Sequence, residues 1–255
     1  MYPFIHIFGR DIGIYGLCLA TGFALAFFLA LRKGKPHGLI VEDLLIVGAF
    51  ALGTALLCGT LMYIFVTYSL LEIVEFVQRG DFSFLSSGIV FYGGLIGGLA
   101  GAMGGIRVAG CKFGVIERAV VPFVPLGHAI GRIGCVMAGC CHGFAYDGLF
   151  ALHYPNSVSG LSPEQGFFPV QPLESLINVG ICVFLLWNEK RMRQVTELLF
   201  VYLGLYAFSR FFLEMLRGDA IRGMWNTLST SQIISIMLFC ISVAGILWKK
   251  NHRVQ

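Results

Sequence analysis

The sequence predicts an all-α fold: a polytopic bundle of seven transmembrane helices with the N-terminus outside and the C-terminus cytoplasmic. Three observations predict it. Of the 255 residues, 57% are hydrophobic and 13% charged, about half the charge of an ordinary soluble domain. Seven apolar stretches reach the roughly 20 residues needed to cross a hydrocarbon core; they lie near 12–31, 44–66, 88–106, 119–139, 171–188, 195–217 and 230–248. The basic residues between them sort by side. Arg32, Lys33, Lys35, Arg107, Lys112, Arg118, Lys190, Arg191, Arg193, Lys249, Lys250 and Arg253, twelve of the eighteen, share one side of a seven-span chain. Arg10, Arg79, Arg217 and Arg222 share the other, so the positive-inside rule makes the first side cytoplasmic. The chain, 1–255, reads as one integral membrane domain.

The first stretch is too long for a cleaved leader and runs into Arg32-Lys33, so it is expected to span, with Tyr15 near its outer end. Residues 67–87 interleave Leu70, Leu71, Ile73, Val74, Phe76 and Val77 with Glu72, Glu75 and Arg79, a pattern suited to lying along the outer interface. The third span starts near Tyr92 and carries Gly93, Gly97, Gly101 and Gly105 at four-residue steps. Small residues at that spacing let two helix backbones approach closely. The fourth span holds Arg132, although an arginine at the centre of a membrane helix costs about 2.5–3.5 kcal/mol on insertion scales. His128, Arg132 and Cys135 follow helical spacing and form one polar seam. Residues 140–170 contain Pro155, Ser157, Ser159 and Pro163 and no Lys or Arg, and are expected to be an exposed outer loop.

The fifth span opens with Gln171, Glu174 and Asn178 on one face, and the sixth carries Tyr202, Tyr206, Arg210 and Glu214 at i, i+4 steps. With the expected orientation, five spans bring polar groups to one depth in the outer leaflet. A guanidinium binds phosphate oxygens in bidentate fashion, so Arg132 and Arg210 suit a phosphate at headgroup depth. Glu174 and Glu214 would orient the arginines or supply a base.

Several of these residues together resemble the bacterial prolipoprotein diacylglyceryl transferases: Tyr15-Gly16, Tyr92-Gly93-Gly94-Leu95-Ile96-Gly97, Gly131-Arg132-Ile133-Gly134, Gln171-Pro172-Leu173-Glu174 and Ser209-Arg210-Phe211-Phe212-Leu213-Glu214. The resemblance covers nearly the whole chain, in order. It implies transfer of the diacylglyceryl group of phosphatidylglycerol to the lipobox cysteine of a prolipoprotein in the bacterial inner membrane. It further implies Arg132, Arg210, Tyr92 and Glu214 as catalytic residues. Tyr15, Gly93, Gly94, His128, Gly131, Gly134, Cys135, Gln171 and Glu174 would contact substrate. The expected partners are phosphatidylglycerol, the lipobox segment and membrane lipids, with no cofactor and no nucleic acid. The chain departs from the family pattern where Cys135, Ala138 and Cys140 stand for Asn, Asn and Glu, and where Tyr92 stands for a histidine. Tyrosine, with an ordinary pKa near 10, is a poor base at neutral pH. Either Tyr92 acts by hydrogen bonding, or another group such as His128 or Glu174 takes the thiol proton.

Eight cysteines are present, of which Cys135, Cys140 and Cys141 cluster. Free small residues, a disulfide and a metal site are the three readings. The adjacent Cys140-Cys141-His142 spacing does not match the usual C-x₂₋₄-C pairs, and polarizable fillers around Arg132, with no metal, are expected. Two rival functions remain: a transporter for an anion or lipid, and a cysteine-based redox or metal membrane protein.

Overall fold

In the computed structural model the described residues are 2–7, 9–86, 91–192, 195–218, 224–225 and 228–251. Arg193, Arg222 and Arg253, used in the charge argument, lie outside them, as do residues 88–90 at the start of the third expected span. Among the described residues, six helices are long and apolar enough to cross a membrane: Ile14–His37, Val41–Thr67, Phe113–Ala138, Val170–Asn188, Glu197–Met215 and Thr230–Asn251. They match six of the seven expected spans, and the protein is a multi-pass membrane protein. The third expected span corresponds to a shorter apolar helix, Gly93–Ala109.

The chain forms two compact units, one of residues 34–116 and one of residues 1–33 with 117–255. The smaller unit contains α2 (Val41–Thr67), α3 (Leu70–Gln78) and α4 (Phe91–Ala109). Its core is the α2–α4 seam, and the glycines are its cause. A Cβ at Gly93 would stand 2.5 Å from the Cys58 carbonyl oxygen, and one at Gly105 would stand 2.8 Å from the Val47 Cα. With the backbones this close, Thr54 Oγ1 donates across the seam to the Gly97 carbonyl at 2.7 Å. Amphipathic α3 starts with a capping box: Ser69 N–H donates to Glu72 at 2.8 Å, and Glu72 N–H donates back to Ser69 Oγ at 3.3 Å. The Ser69 backbone and hydroxyl bonds hold the Glu72 carboxyl below its ordinary pKa. Leu70, Leu71, Val74 and Val77 remain exposed.

The larger unit opens with a hairpin that the sequence reading did not foresee, β1 (Phe4–Ile7) and β2 (Arg10–Gly13), paired antiparallel from Phe4↔Gly13 to Ile7↔Arg10. It leads into α1 (Ile14–Gly34). The fourth expected span is two helices, α5 (Phe113–Val120) and α6 (Val124–Ala138), joined by a 3-10 turn over Val121–Phe123. Pro122 and Pro125 explain the break, since each lacks an N–H and crowds the preceding turn. Next come α7 (Val170–Asn188), α8 (Glu197–Met215), a short pairing of β3 (Met224–Trp225) with β4 (Leu228–Ser229), and α9 (Thr230–Asn251). Ser175 Oγ ties α7 to α6 by donating to the Ala129 carbonyl at 2.9 Å, and Ser242 Oγ ties α9 to α8 by donating to Phe200 at 2.6 Å.

At the basic end of this unit, buried Glu117 accepts the N–H groups of Thr196 at 2.6 Å and Leu199 at 3.0 Å. Those groups belong to the α8 N-terminus, where unpaired donors and the helix dipole favour a carboxylate. Arg118 Nη2 donates to the Met192 carbonyl at 2.8 Å, and Lys33 pairs with Glu189. Residues 140–170, expected as an exposed outer loop, are exposed in part, Leu149, Phe150 and Val158 among them, and in part fold over the opposite end. Gly139 caps α6 at φ +67°, a conformation that favours glycine, and Ser157 packs on it. The segment pairs with the end of α8, where Phe144 N–H donates to Leu216 at 3.1 Å and Gly218 N–H donates to His142 at 3.0 Å. Within it, Tyr154 and Phe167 are buried.

Candidate active site

Three helix termini meet at this loop-covered end: the C-termini of α6 and α8 and the N-terminus of α7. Arg132 lies six residues before the end of α6, Glu174 four residues after the start of α7, and Arg210 five before the end of α8. Each is therefore on the order of 6–9 Å from its helix terminus at 1.5 Å per residue. The i, i+4 spacing on α8 turns Arg210 toward Glu214, whose Oε2 meets Arg210 Nη2 at 2.7 Å. The same spacing on α6 lets Arg132 Nε donate to His128 Nε2 at 3.2 Å.

Glu174 joins the helices. Its Oε1 lies 3.0 Å from Arg132 Nη2 and 3.6 Å from His128 Nε2, and its Oε2 lies 3.6 Å from Arg210 Nη1. The carboxylate is 3% exposed, and the two guanidiniums 14% and 12%, so all three are withdrawn from water. Withdrawn charges persist only when paired. These pairs are nevertheless loosely aligned. Glu174 Oε1 and Arg210 Nη1 are both buried and make no hydrogen bond among the described residues, so their contacts are electrostatic. That leaves N–H capacity for a further acceptor at the cluster.

The surroundings are specific as well. The Tyr206 ring lies 5.4 Å from His128. Gln171, fully buried, donates through Nε2 to the Cys140 carbonyl at 3.0 Å and to Tyr154 Oη at 2.9 Å. Burial pushes the Tyr154 hydroxyl up to about 12, so it stays protonated across the physiological range. Arg132 Nη1 reaches Cys135 Sγ at 4.0 Å, and the sulfurs of Cys135, Cys140 and Cys141 all lie within 4.8 Å of one another.

Of the residues expected to form the site, His128, Arg132, Cys135, Glu174, Arg210 and Glu214 come together, with Gln171 behind them. Gly131 and Gly134 face α1 instead: a Cβ at Gly134 would meet Cys18 at 3.0 Å and the Tyr15 Cα at 3.2 Å. Tyr15 is thereby seated beside Gly134, with its ring half-exposed. Gly93 and Gly94 lie in α4 of the smaller unit, where Gly93 is a packing glycine against α2; the Tyr92 side chain lies outside what the structure describes. The sequence reading missed Arg217, whose Nη1 lies 3.9 Å from Glu214 Oε2. Its i+3 spacing from Glu214 and i+7 spacing from Arg210 is the signal that marks it.

The fold and the site together define a multi-pass membrane protein with a buried arginine–carboxylate cluster at one end of its larger unit. The sequence matches the family described as prolipoprotein diacylglyceryl transferase over residues 3–248, and the chain belongs to that family. It is 32% identical to phosphatidylglycerol–prolipoprotein diacylglyceryl transferase 2 of Clostridium perfringens (strain 13 / Type A), over 98% of this chain and 94% of that protein. Phosphatidylglycerol–prolipoprotein diacylglyceryl transferases of Clostridioides difficile (strain 630) and Clostridium tetani (strain Massachusetts / E88) are each 29% identical, covering 91% and 93% of this chain and 88% and 93% of theirs.

Proposed function

We propose that the protein transfers the diacylglyceryl group of phosphatidylglycerol to the lipobox cysteine thiol of a prolipoprotein, the first step of bacterial lipoprotein lipidation. The whole chain, 1–255, would act as one transferase domain in the bacterial inner membrane, with seven spans, the N-terminus outside and the C-terminus cytoplasmic. One observation carries the reading: two buried guanidiniums from different helices converge on Glu174, with Arg210 Nη1 making no hydrogen bond among the described residues. A phosphodiester entering there takes bidentate bonds from Arg132 and Arg210. The same bonds strengthen as charge gathers on the departing glycerol phosphate, which is where catalysis needs them.

Glu214 holds Arg210 in place, and Glu174 keeps both guanidiniums oriented between turnovers. Tyr15 and Gly94 are assigned to lipid contact and Tyr92 to the acceptor thiol, by their match to the family motifs, while Gly93 serves packing. The family relatives favour this enzyme over a transporter.

The test places the purified protein in phosphatidylglycerol vesicles with a lipobox peptide and seeks the thioether product by mass. Arg132→Ala and Arg210→Ala should each abolish product while the protein remains inserted and helical. Lysine at either position should restore only part of the rate, being a point charge rather than a fork. Near-normal turnover in either alanine variant would overturn the phosphate assignment.

A further inference from the structure

The acceptor thiol has to lose a proton before it can attack, and the cluster offers little to take it. The Nε2 lone pair of His128 already accepts from Arg132, and Glu174 is held between two guanidiniums. What the cluster does hold beside Arg132 is sulfur. Cys135 is in the last turn of α6, and the Gly139 cap folds the chain back so that Cys140 N–H donates to the Cys135 carbonyl at 3.2 Å. Gln171 fixes the Cys140 carbonyl from α7. Cys141 sits at φ +55°, a left-handed conformation that is strained for a residue with a side chain. The result is three sulfurs within 4.8 Å of one another, one of them 4.0 Å from Arg132.

We propose that Cys135, Cys140 and Cys141 hold a zinc-class divalent cation whose open fourth position takes the acceptor cysteine of the protein substrate as a thiolate. The inference rests on the transferase reading and reverses the expectation that these cysteines are fillers. Zinc–sulfur bonds of about 2.3 Å in a tetrahedron set the sulfurs about 3.8 Å apart. Side-chain movements of about an ångström would therefore close the site. Thiolates select zinc-like ions over magnesium or calcium, which take oxygen ligands. Three protein ligands and an open position are the pattern of a reactive zinc site.

The step balances without any redox change. On coordination the acceptor thiol releases its proton to water. Its sulfur then attacks the glyceryl carbon bonded to the phosphate oxygen: the carbon–sulfur bond forms as the carbon–oxygen bond breaks. The electron pair leaves on glycerol phosphate, held by Arg132 and Arg210. The thioether formed is neutral and a weaker ligand than a thiolate, so it departs and reopens the position. Arg132, three residues before Cys135, borders both the metal thiolates and the phosphate, and so brings nucleophile and leaving group together.

The test purifies the full chain in lipid under reducing conditions, removes metal with a chelator and adds Co²⁺ as a visible probe. Roughly one cobalt per chain should bind, with a sulfur-to-metal charge-transfer band and tetrahedral visible bands. Adding a lipobox peptide should perturb those bands, whereas the peptide with serine for cysteine should not. Cys135→Ser, Cys140→Ser and Cys141→Ser should each weaken cobalt binding at least tenfold with helical content unchanged; the peptide-induced shift in the parent protein reads the site without any variant. Substoichiometric cobalt on fully reduced protein overturns the proposal, as does a native Cys135–Cys140 disulfide, or spectra indifferent to the peptide thiol. A parallel transfer assay separates the two claims: product formed without metal sinks only the metal site, while no product from metal-loaded protein sinks the transferase reading.

Discussion

Glu174 is the residue on which most depends, because one carboxylate at 3% exposure holds guanidiniums from two other helices. Glu174→Gln keeps the size and removes the charge, leaving Arg132 without a carboxylate and Arg210 with Glu214 alone. Breaking a buried pair from one side costs about 3–5 kcal/mol, so thermal unfolding in neutral detergent should show a loss of that size. Phosphatidylglycerol should recover part of it, because an anion that binds the folded state stabilises it by mass action. A variant as stable as its parent would mean that the arginines find other partners. The Arg210–Glu214 contact is legible in the sequence, since i, i+4 neighbours on a helix meet whatever the tertiary structure. That Glu174 orients the arginines is legible as an expectation, but that one carboxylate reaches both is not, because it depends on how α6, α7 and α8 are rotated about their axes.

Among the elements, the α2–α4 seam separates packing glycines from incidental ones. A Cβ at Gly97 would run into the Thr54 carbonyl and the Cys58 side chain, whereas one at Gly98 would lie 3.5 Å from the Ala55 Cβ, an ordinary contact. Gly97→Ala should therefore lose about 1–3 kcal/mol in an unfolding titration, and Gly98→Ala should stay near the parent. Equal effects would remove close approach as the reason for the stripe. The stripe itself is readable, because four-residue spacing fixes a face. The division of the fourth span departs from the expectation of one span over 119–139, although Pro122 and Pro125 are its signal. The folding of residues 139–169 is not readable. Its burial comes from Tyr154 and Phe167 and from pairing with the α8 end, none of which is local in sequence.

At the scale of the whole molecule, the twelve-to-four division of loop arginines and lysines is the argument for orientation. A cysteine introduced by Lys250→Cys should react with a membrane-impermeant maleimide only after the cells are opened. Labelling of intact cells beyond the parent level would refute the cytoplasmic C-terminus. In the larger unit, the two ends divide the work between them. Glu117, Arg118 and the Lys33–Glu189 pair fasten the basic end, and the arginine cluster occupies the end covered by residues 139–169.

The cluster contains three guanidiniums, from Arg132, Arg210 and Arg217, and two carboxylates, from Glu174 and Glu214. With the imidazole neutral, these five groups sum to one surplus positive charge. A phosphodiester carries one negative charge, so the proposed substrate headgroup would neutralise these five groups. The phosphomonoester left after the proposed transfer would carry about 1.5–2 negative charges at neutral pH, more than these groups can balance. On the proposed reaction a matched ligand becomes a mismatched one, which would favour release of glycerol phosphate and entry of fresh diester.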